Sequence, residues 1–218
     1  VSLDPGPLTS TFAVPLVVKG ATANVPAVTA APPRTVSDPF VAPDAAKAKL
    51  GFSNRSVILT FGLLSPSKGI EVMIDAMPSI LKQRPDAVYV VLGATHPNLV
   101  RDQGEAYRES LMARVRKLGV EDHVVFLDRF VDQATLLEFI SMSDVYVTPY
   151  LNEAQMTSGT LAYSFGLGKP VVSTPYWHAR ELLADGRGTL VSFGDAAETG
   201  NARWPTSAGW TRPRVRGC

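Results

Sequence analysis

Short apolar runs alternate with helical patterns along the chain from about residue 55. The runs are rich in Val, Ile and Leu, which is typical of strands covered on both faces of a sheet. They predict strands at 57–61, 88–92, 124–127, 145–149, 171–173 and 189–191. Between them, apolar residues at helical spacing predict helices, most clearly over 70–81 and 105–118. This alternation predicts a parallel sheet with right-handed crossovers, that is, a doubly wound, Rossmann-like α/β fold.

The regions outside this pattern are expected to be less regular. Residues 1–43 are rich in Pro, Ala, Thr and Val without a helical period, which predicts an irregular N-terminal segment or linker. The α/β domain is expected to span 44–194, opening with a short helix that Asp44 caps and Gly51 ends. Residues 195–218 contain several Gly and Pro and a basic end, and are predicted to be a disordered tail.

Composition narrows the range of partners and compartments. Lys plus Arg number 21 and Asp plus Glu number 20, so the net charge of +1 gives no reason to expect a nucleic acid partner. The single cysteine, Cys218, cannot form a disulfide or a cysteine metal site within the chain. No apolar run approaches the roughly 20 residues of a membrane helix, and no signal peptide is visible. We therefore expect a soluble, cytoplasmic protein.

The first strand is followed by a loop, GLLSPSKG, that could bind phosphate. It lies where the phosphate-binding turn of a doubly wound sheet usually lies, although it contains neither G-x-x-x-x-G-K-[ST] nor G-x-G-x-x-G. Gly62 and Lys68 are its notable residues, because a lysine before a helix can reach a phosphate as a point charge. The alternative is a solvated lysine beside an ordinary turn.

A second polar loop follows the fourth predicted strand. Five of its residues can form side-chain hydrogen bonds: Asn152, Glu153, Gln155, Thr157 and Ser158. Ligands of open α/β sheets bind at the carboxyl ends of the strands. A helix is predicted to begin near Ser158, and its free N–H groups and dipole would favour an anion there. Helix capping by Ser158 alone is the alternative.

Other polar residues offer weaker candidates. His96, His123 and His178 match no metal motif, and no Ser-His-Asp spacing or hydrolytic carboxylate pair is evident. Arg129 follows the third strand and is expected at the same carboxyl edge. Glu181 is predicted to begin a short helix, where a carboxylate suits the dipole.

Five segments together resemble a known family. They are FGLLSPSKG, VVLGATHP, VVFLDRFV, SDVYVTPYLNEAQMTSGTLAYSFGLGKPVVSTPYW and ELLADGRGTLV. In order and spacing they resemble the C-terminal, donor-binding domain of a family 4 retaining glycosyltransferase with the GT-B fold, over about residues 50–194. The resemblance implies one half of an enzyme that transfers a sugar from a nucleotide-diphosphate donor to an acceptor. It leaves the acceptor (glycan, lipid or small molecule) unspecified, implies an N-terminal acceptor domain absent from residues 1–50, and allows peripheral membrane association of the full-length enzyme.

The resemblance also implies roles for particular residues. It assigns the donor diphosphate to Gly62, Lys68, Ser158, Gly159 and Thr160, and the sugar to Glu153 and Gln155. It assigns the base and ribose to Arg129, Phe130, Val131 and Tyr163. It implies no metal and no cofactor other than the donor, and it identifies no catalytic residue.

The chain departs from the family pattern at three points. Leu63 stands where the family usually has Arg, which removes one diphosphate cation. The family's E-x7-E pair is incomplete, because its second position is Leu161 when counted from Glu153, or Tyr163 when the register is set by Lys169-Pro170-Val171-Val172. The family's C-terminal helix is not recognisable after Asp195.

Two other functions fit parts of the sequence. A non-catalytic module that binds a nucleotide or nucleotide sugar is the main alternative. An α/β receiver or interaction domain is a third, although no acidic cluster follows the first strand.

Overall fold

The computed structural model describes residues 42–202 and 204, which contain one six-stranded parallel sheet. The strands are β1 Ser56–Phe61, β2 Ala87–Leu92, β3 Val124–Leu127, β4 Val145–Thr148, β5 Val171–Ser173 and β6 Thr189–Leu190, in the order β3-β2-β1-β4-β5-β6. The doubly wound, Rossmann-like fold is confirmed. The sheet reverses its direction of growth between β1 and β4, and the crevice at such a point is where these folds bind ligands.

Eight helices are found in the described residues. They are α1 Pro43–Leu50, α2 Ile70–Gln83, α3 Pro97–Gln103, α4 Ala106–Leu118, α5 Gln133–Met142, α6 Gly159–Gly166, α7 Trp177–Leu182 and α8 Ala196–Asn201. Two 3₁₀ turns, Pro66–Lys68 and Glu121–His123, precede α2 and β3. In this part of the chain, no helix combines the length and apolar character needed to cross a membrane.

The core lies in two layers, one on each face of the sheet. Because successive side chains of a strand point to opposite faces, Ile58 packs in one layer and Val57 and Leu59 in the other. The first layer includes the apolar stripe of α2 and Leu111 of α4. The second includes Ala46 of α1 and apolar residues of α5. Burial on both faces explains why the strands read as continuous apolar runs.

The helix ends differ from the sequence-based expectation at two places. Helix α1 begins at Pro43 with Ala42 at its N-cap position, so Asp44 lies in the first turn and does not cap it. Helix α7 begins at Trp177, which places Glu181 near its end, where a carboxylate gains nothing from the helix dipole.

The prediction of a disordered tail from residue 195 is wrong for residues 196–201, which form α8. The Asp195 side chain accepts a hydrogen bond from the Glu198 amide and starts this helix. Gly200 packs against Ser79 of α2, and Gln83 donates to the Gly200 carbonyl. These tertiary contacts compensate for the missing apolar period. The expectations for 1–41 and 205–218 concern residues outside the described part.

Candidate functional site

The loops after β1 and β2 are joined at the carboxyl edge. A Cβ on Gly93, whose φ is +147°, would overlap the carbonyl oxygen of Gly62. Beyond these glycines the pairing continues, because Leu64 donates to Ala94 at 2.9 Å and His96 donates to Leu64 at 2.9 Å. The first polar loop therefore rests on the next loop of the sheet.

The same loop also meets the chain that leaves β4. Gly69, with φ +63°, approaches Pro149 so closely that a Cβ would overlap the Pro149 carbonyl oxygen. The Leu151 amide donates to the Ser67 carbonyl at 3.0 Å. The two loops that the sequence identifies as candidates are thus in direct backbone contact.

Lys68 lies at this junction and its charge is not neutralised. Its Nζ atom is 4.0 Å from the centroid of the Tyr150 ring, a cation–π distance. In the part of the chain that the structure describes, no carboxylate lies within ion-pair distance of Lys68. The side chain is half-buried. An unpaired ammonium beside a loop junction is suited to an anionic ligand.

Tyr150 joins Lys68 to the start of α6. Its hydroxyl lies 2.9 Å from Thr160 Oγ1, which is 3.1 Å from Ser158 Oγ. Behind it the Tyr176 ring stacks at 5.2 Å between centroids. Burial raises the pKa of the Tyr176 hydroxyl, which therefore stays protonated. Sequence reasoning did not identify Tyr150, although its place directly after β4 was visible.

The start of α6 offers two free amides. Ser158 is the N-cap, and its hydroxyl accepts from the Leu161 amide at 3.2 Å. The Ser158 amide itself donates to His178 Nδ1 at 2.9 Å, so it is already occupied. Among the described residues, the amides of Gly159 and Thr160 have no hydrogen-bond partner. A helix start with free N–H groups favours an anion.

Glu153 and Gln155 lie on a loop that α7 supports. Glu153 accepts a hydrogen bond from Arg180, and its carbonyl accepts from the Trp177 amide at 3.0 Å. The Gln155 carbonyl accepts from the His178 amide at 3.2 Å. The Glu153 carboxylate remains exposed on one side and can still accept a hydrogen bond from a ligand.

The residues expected to bind base and ribose lie farther along the sheet. Arg129 and Phe130 are exposed, and Val131 is half-buried. They follow β3, two strands from β1, which is about 10 Å at the spacing of neighbouring strands. Among the described residues, no hydrogen bond or ion pair joins these three residues to the Lys68 or Ser158 loops. Tyr163 is 47% exposed whereas Leu161 is fully buried, so only Tyr163 could meet a ribose.

Arg108 supports the segment that contains Arg129, Phe130 and Val131, and the sequence analysis did not identify it. A charged residue of an amphipathic helix is expected on its solvent side, but Arg108 of α4 is 6% exposed. It donates to the Gly93 carbonyl at 3.1 Å and to Asp128 at 2.7 Å. It also bonds Glu105, whose carboxyl has a lowered pKa because it accepts from the Thr95 hydroxyl and then from Arg108. Arg108 therefore fixes the end of β2 relative to the chain before Arg129.

Residues 55–202 match the family model described as Glycosyl transferases group 1. The chain belongs to this family. Within the described residues of this group 1 chain, no group of three or more His, Cys, Asp or Glu could hold a metal ion.

Relatives with named activities are longer than this chain. It is 28% identical over 177 residues to a GDP-mannose-dependent α-(1-6)-phosphatidylinositol monomannoside mannosyltransferase of Mycolicibacterium smegmatis, covering 75% of this chain and 43% of that protein. It is 29% identical over 150 residues to the lipopolysaccharide core biosynthesis mannosyltransferase LpsB of Rhizobium meliloti, covering 68% of this chain and 39% of that protein. The group 1 chain thus spans less than half the length of these relatives.

Solved structures share its fold. The crystal structure of HepE from Anabaena in complex with UDP and glucose superposes with a TM-score of 0.61 at 25% identity, covering 71% of this chain and 39% of that one. Sucrose-phosphate synthase of Thermosynechococcus elongatus superposes with a TM-score of 0.63 at 23% identity, covering 75% and 39%. The resemblance to a GT-B glycosyltransferase domain is confirmed.

Proposed function

We propose that this chain is the donor-binding half of a retaining glycosyltransferase, which transfers a sugar from a nucleotide-diphosphate donor to an acceptor hydroxyl. The observation that carries the proposal is the Lys68 ammonium, which no carboxylate of the described residues neutralises and which Tyr150 joins to the start of α6 at the crevice between β1 and β4. Family membership and the UDP bound in the HepE structure support it.

The donor diphosphate would lie between Lys68 and the amides of Gly159 and Thr160. When the bond between sugar and diphosphate breaks, negative charge grows on the leaving diphosphate. A fixed cation and fixed N–H groups stabilise that charge without having to reorganise. Lys68 acts alone among the cations predicted for this role, because Leu63 replaces the arginine of the family pattern.

The two ends of the donor would extend from the diphosphate in opposite directions. The sugar hydroxyls would donate to the exposed side of Glu153, with Gln155 beside it. The base and ribose would extend toward Arg129, Phe130 and Val131, with Tyr163 near the ribose. The roughly 10 Å from β1 to β3 is comparable to the reach of a nucleoside beyond its phosphates, which supports this direction.

A non-catalytic nucleotide-sugar-binding module is the second candidate. The observations that favour it are Leu63 and the incomplete glutamate pair, since both weaken the family's donor contacts. Both candidates require nucleotide binding, and they differ in whether sugar is transferred once an acceptor domain completes the cleft.

Titration calorimetry with UDP and GDP tests nucleotide binding, which both candidate functions require. We expect weak binding of at least one nucleotide, because half of the cleft is supplied here. Lys68→Ala should weaken that binding by about 1–3 kcal/mol, the range for a charge-assisted hydrogen bond. Lys82→Ala is the matched control, since Lys82 is exposed in the last turn of α2. Absence of binding to both nucleotides, or equal affinities of the two variants, would contradict the proposal.

A further inference from the structure

Tyr150 contacts both parts of the proposed diphosphate site from a single buried position. Its ring lies 4.0 Å from Lys68 Nζ, and its hydroxyl lies 2.9 Å from Thr160 Oγ1. The residue is only 2% exposed. Lys68 lies in the loop after β1 and Thr160 in the first turn of α6, after β4, so Tyr150 is a direct link between them.

We infer that Tyr150 is a positioning residue for the donor diphosphate. Its ring holds the Lys68 ammonium over the site, and its hydroxyl orients Thr160 at the start of α6. This inference rests on the proposed function and identifies the residue through which Lys68 and the helix start act on one ligand.

An aromatic ring suits this task better than a carboxylate. The ring face attracts the ammonium electrostatically but accepts none of its hydrogen bonds, so the three N–H donors stay available to phosphate oxygens. A carboxylate would neutralise the charge, as Asp144 does for Lys47 in this chain. Holding the flexible lysine side chain before the ligand arrives also reduces the entropy lost on binding.

The ring itself is held firmly. Tyr176 stacks on it with an interplanar angle of 18°, and the Thr174 hydroxyl donates to the Tyr150 carbonyl at 2.6 Å. Both residues follow β5, the next strand of the sheet. The position of Lys68 is therefore set by three neighbouring parallel strands, β1, β4 and β5.

Two variants separate the ring from the hydroxyl. Tyr150→Phe keeps the ring and removes the hydrogen bond to Thr160, whereas Tyr150→Leu removes both the ring and the hydrogen bond. We expect Tyr150→Leu to weaken binding of UDP or GDP about tenfold, and Tyr150→Phe to weaken it less. Binding of the nucleosides uridine and guanosine, which lack phosphate, should not change. In the Lys68→Ala background, Tyr150→Leu should cause a much smaller loss, because the shared contact is already absent.

A control variant distinguishes positioning from general loss of stability. Ile80→Ala opens a cavity near the far end of α2, where Ile80 is 1% exposed and lines a pocket with Ser56 and Ala87 at the amino edge of the sheet. It should lower the melting temperature while leaving nucleotide affinity unchanged. Equal loss of nucleoside and nucleotide binding in Tyr150→Leu would overturn the inference in favour of a merely structural role.

Nuclear magnetic resonance supplies a test that needs no ligand. The ε-methylene protons of Lys68 should be shifted upfield by the ring current in the natural protein and in Tyr150→Phe, but not in Tyr150→Leu. An unshifted Lys68 in the natural protein, or unchanged UDP and GDP affinity in Tyr150→Leu, would overturn the inference. If the natural protein bound neither nucleotide, the proposed function would fail, and the Lys68 shift would still decide whether Tyr150 holds the lysine.

Discussion

Gly69→Ala should disrupt the junction on which the proposed site depends. Gly69 has φ +63°, and a Cβ there would overlap the Pro149 carbonyl oxygen and lie 3.0 Å from its carbonyl carbon. Gly51 has a similar conformation, φ +83°, but a Cβ there would meet nothing within 4 Å. Gly51→Ala is therefore a control with the same backbone strain and no overlap.

The expected magnitudes follow from this difference. The left-handed conformation costs an alanine about 1–2 kcal/mol at either position. The loss of unfolded-chain entropy is also the same for both substitutions. Relieving the overlap at Gly69 requires the two loops to separate by about 1 Å, and strain of this kind typically costs a further 1–3 kcal/mol. We expect Gly69→Ala to lower the free energy of unfolding by about 2–5 kcal/mol, and Gly51→Ala by about 1–2 kcal/mol.

Urea unfolding followed by circular dichroism measures the free energy of unfolding, and calorimetry with UDP and GDP measures the effect of each substitution on nucleotide binding. A displacement of about 1 Å between Lys68 and the start of α6 should weaken nucleotide binding at least tenfold. Gly51→Ala should leave binding unchanged, because Gly51 ends α1, ahead of β1. Equal destabilisation by both substitutions would show that the loops separate freely, and the reasoning about their contact would be wrong.

Three further predictions concern turnover, the sugar and alkaline pH. Residues 1–218 by themselves should not transfer sugar from a bound donor to an added acceptor, since the described residues supply one of the two domains that form a GT-B cleft, and one domain does not exclude water. Measurable transfer would contradict this. Glu153→Gln should weaken binding of the nucleotide sugar by about 1–2 kcal/mol and hardly affect binding of the bare nucleoside diphosphate. If calorimetry showed an equal loss of affinity for both ligands, Glu153 would only stabilise its loop through Arg180. Burial raises the pKa of Tyr89, Tyr146 and Tyr176 above its value in the unfolded chain. Their protonated side chains therefore contribute fully to the free energy of unfolding below about pH 10, and this contribution declines at higher pH. A free energy of unfolding that stays constant as pH rises from 9 to 12 would oppose this.

The local pattern of apolar and polar residues was sufficient to predict the sheet and most of the helices. Strands β1, β2, β4 and β5 are short and almost wholly buried, so their apolar runs are visible in the sequence, and α2 carries a clear apolar stripe. Helices α3 and α8 were not predicted. Helix α3 is short, has no buried residue and depends on His96 and Pro97 for its start. Helix α8 depends on Gly200 packing against α2, a contact that no local pattern reveals.

The candidate loops were predictable, but the contacts that organise them were not. Lys68 and Ser158 stand out because polar residues after buried strands meet at one edge of the sheet. Tyr150 reads as one more aromatic residue beside a strand, and its role depends on Lys68, which is distant in sequence. Arg108 reads as a solvated charge on a helix, and only the fold shows that it is enclosed between Gly93 and Asp128.

The backbone pairing between Leu64 and Thr95 extends the β1–β2 ladder beyond Gly62 and Gly93. Amides in such a ladder exchange with solvent slowly, so Leu64 and His96 should be protected in hydrogen–deuterium exchange almost as well as the strands themselves. Phe130, which the proposed function places at the base of the donor, is 75% exposed, and among the described residues its loop has no such pairing. The loops that would bind the phosphates of a donor are therefore expected to be rigid, and the loop that would bind its base more adaptable. Most of the loop ordering that accompanies donor binding should take place around the base.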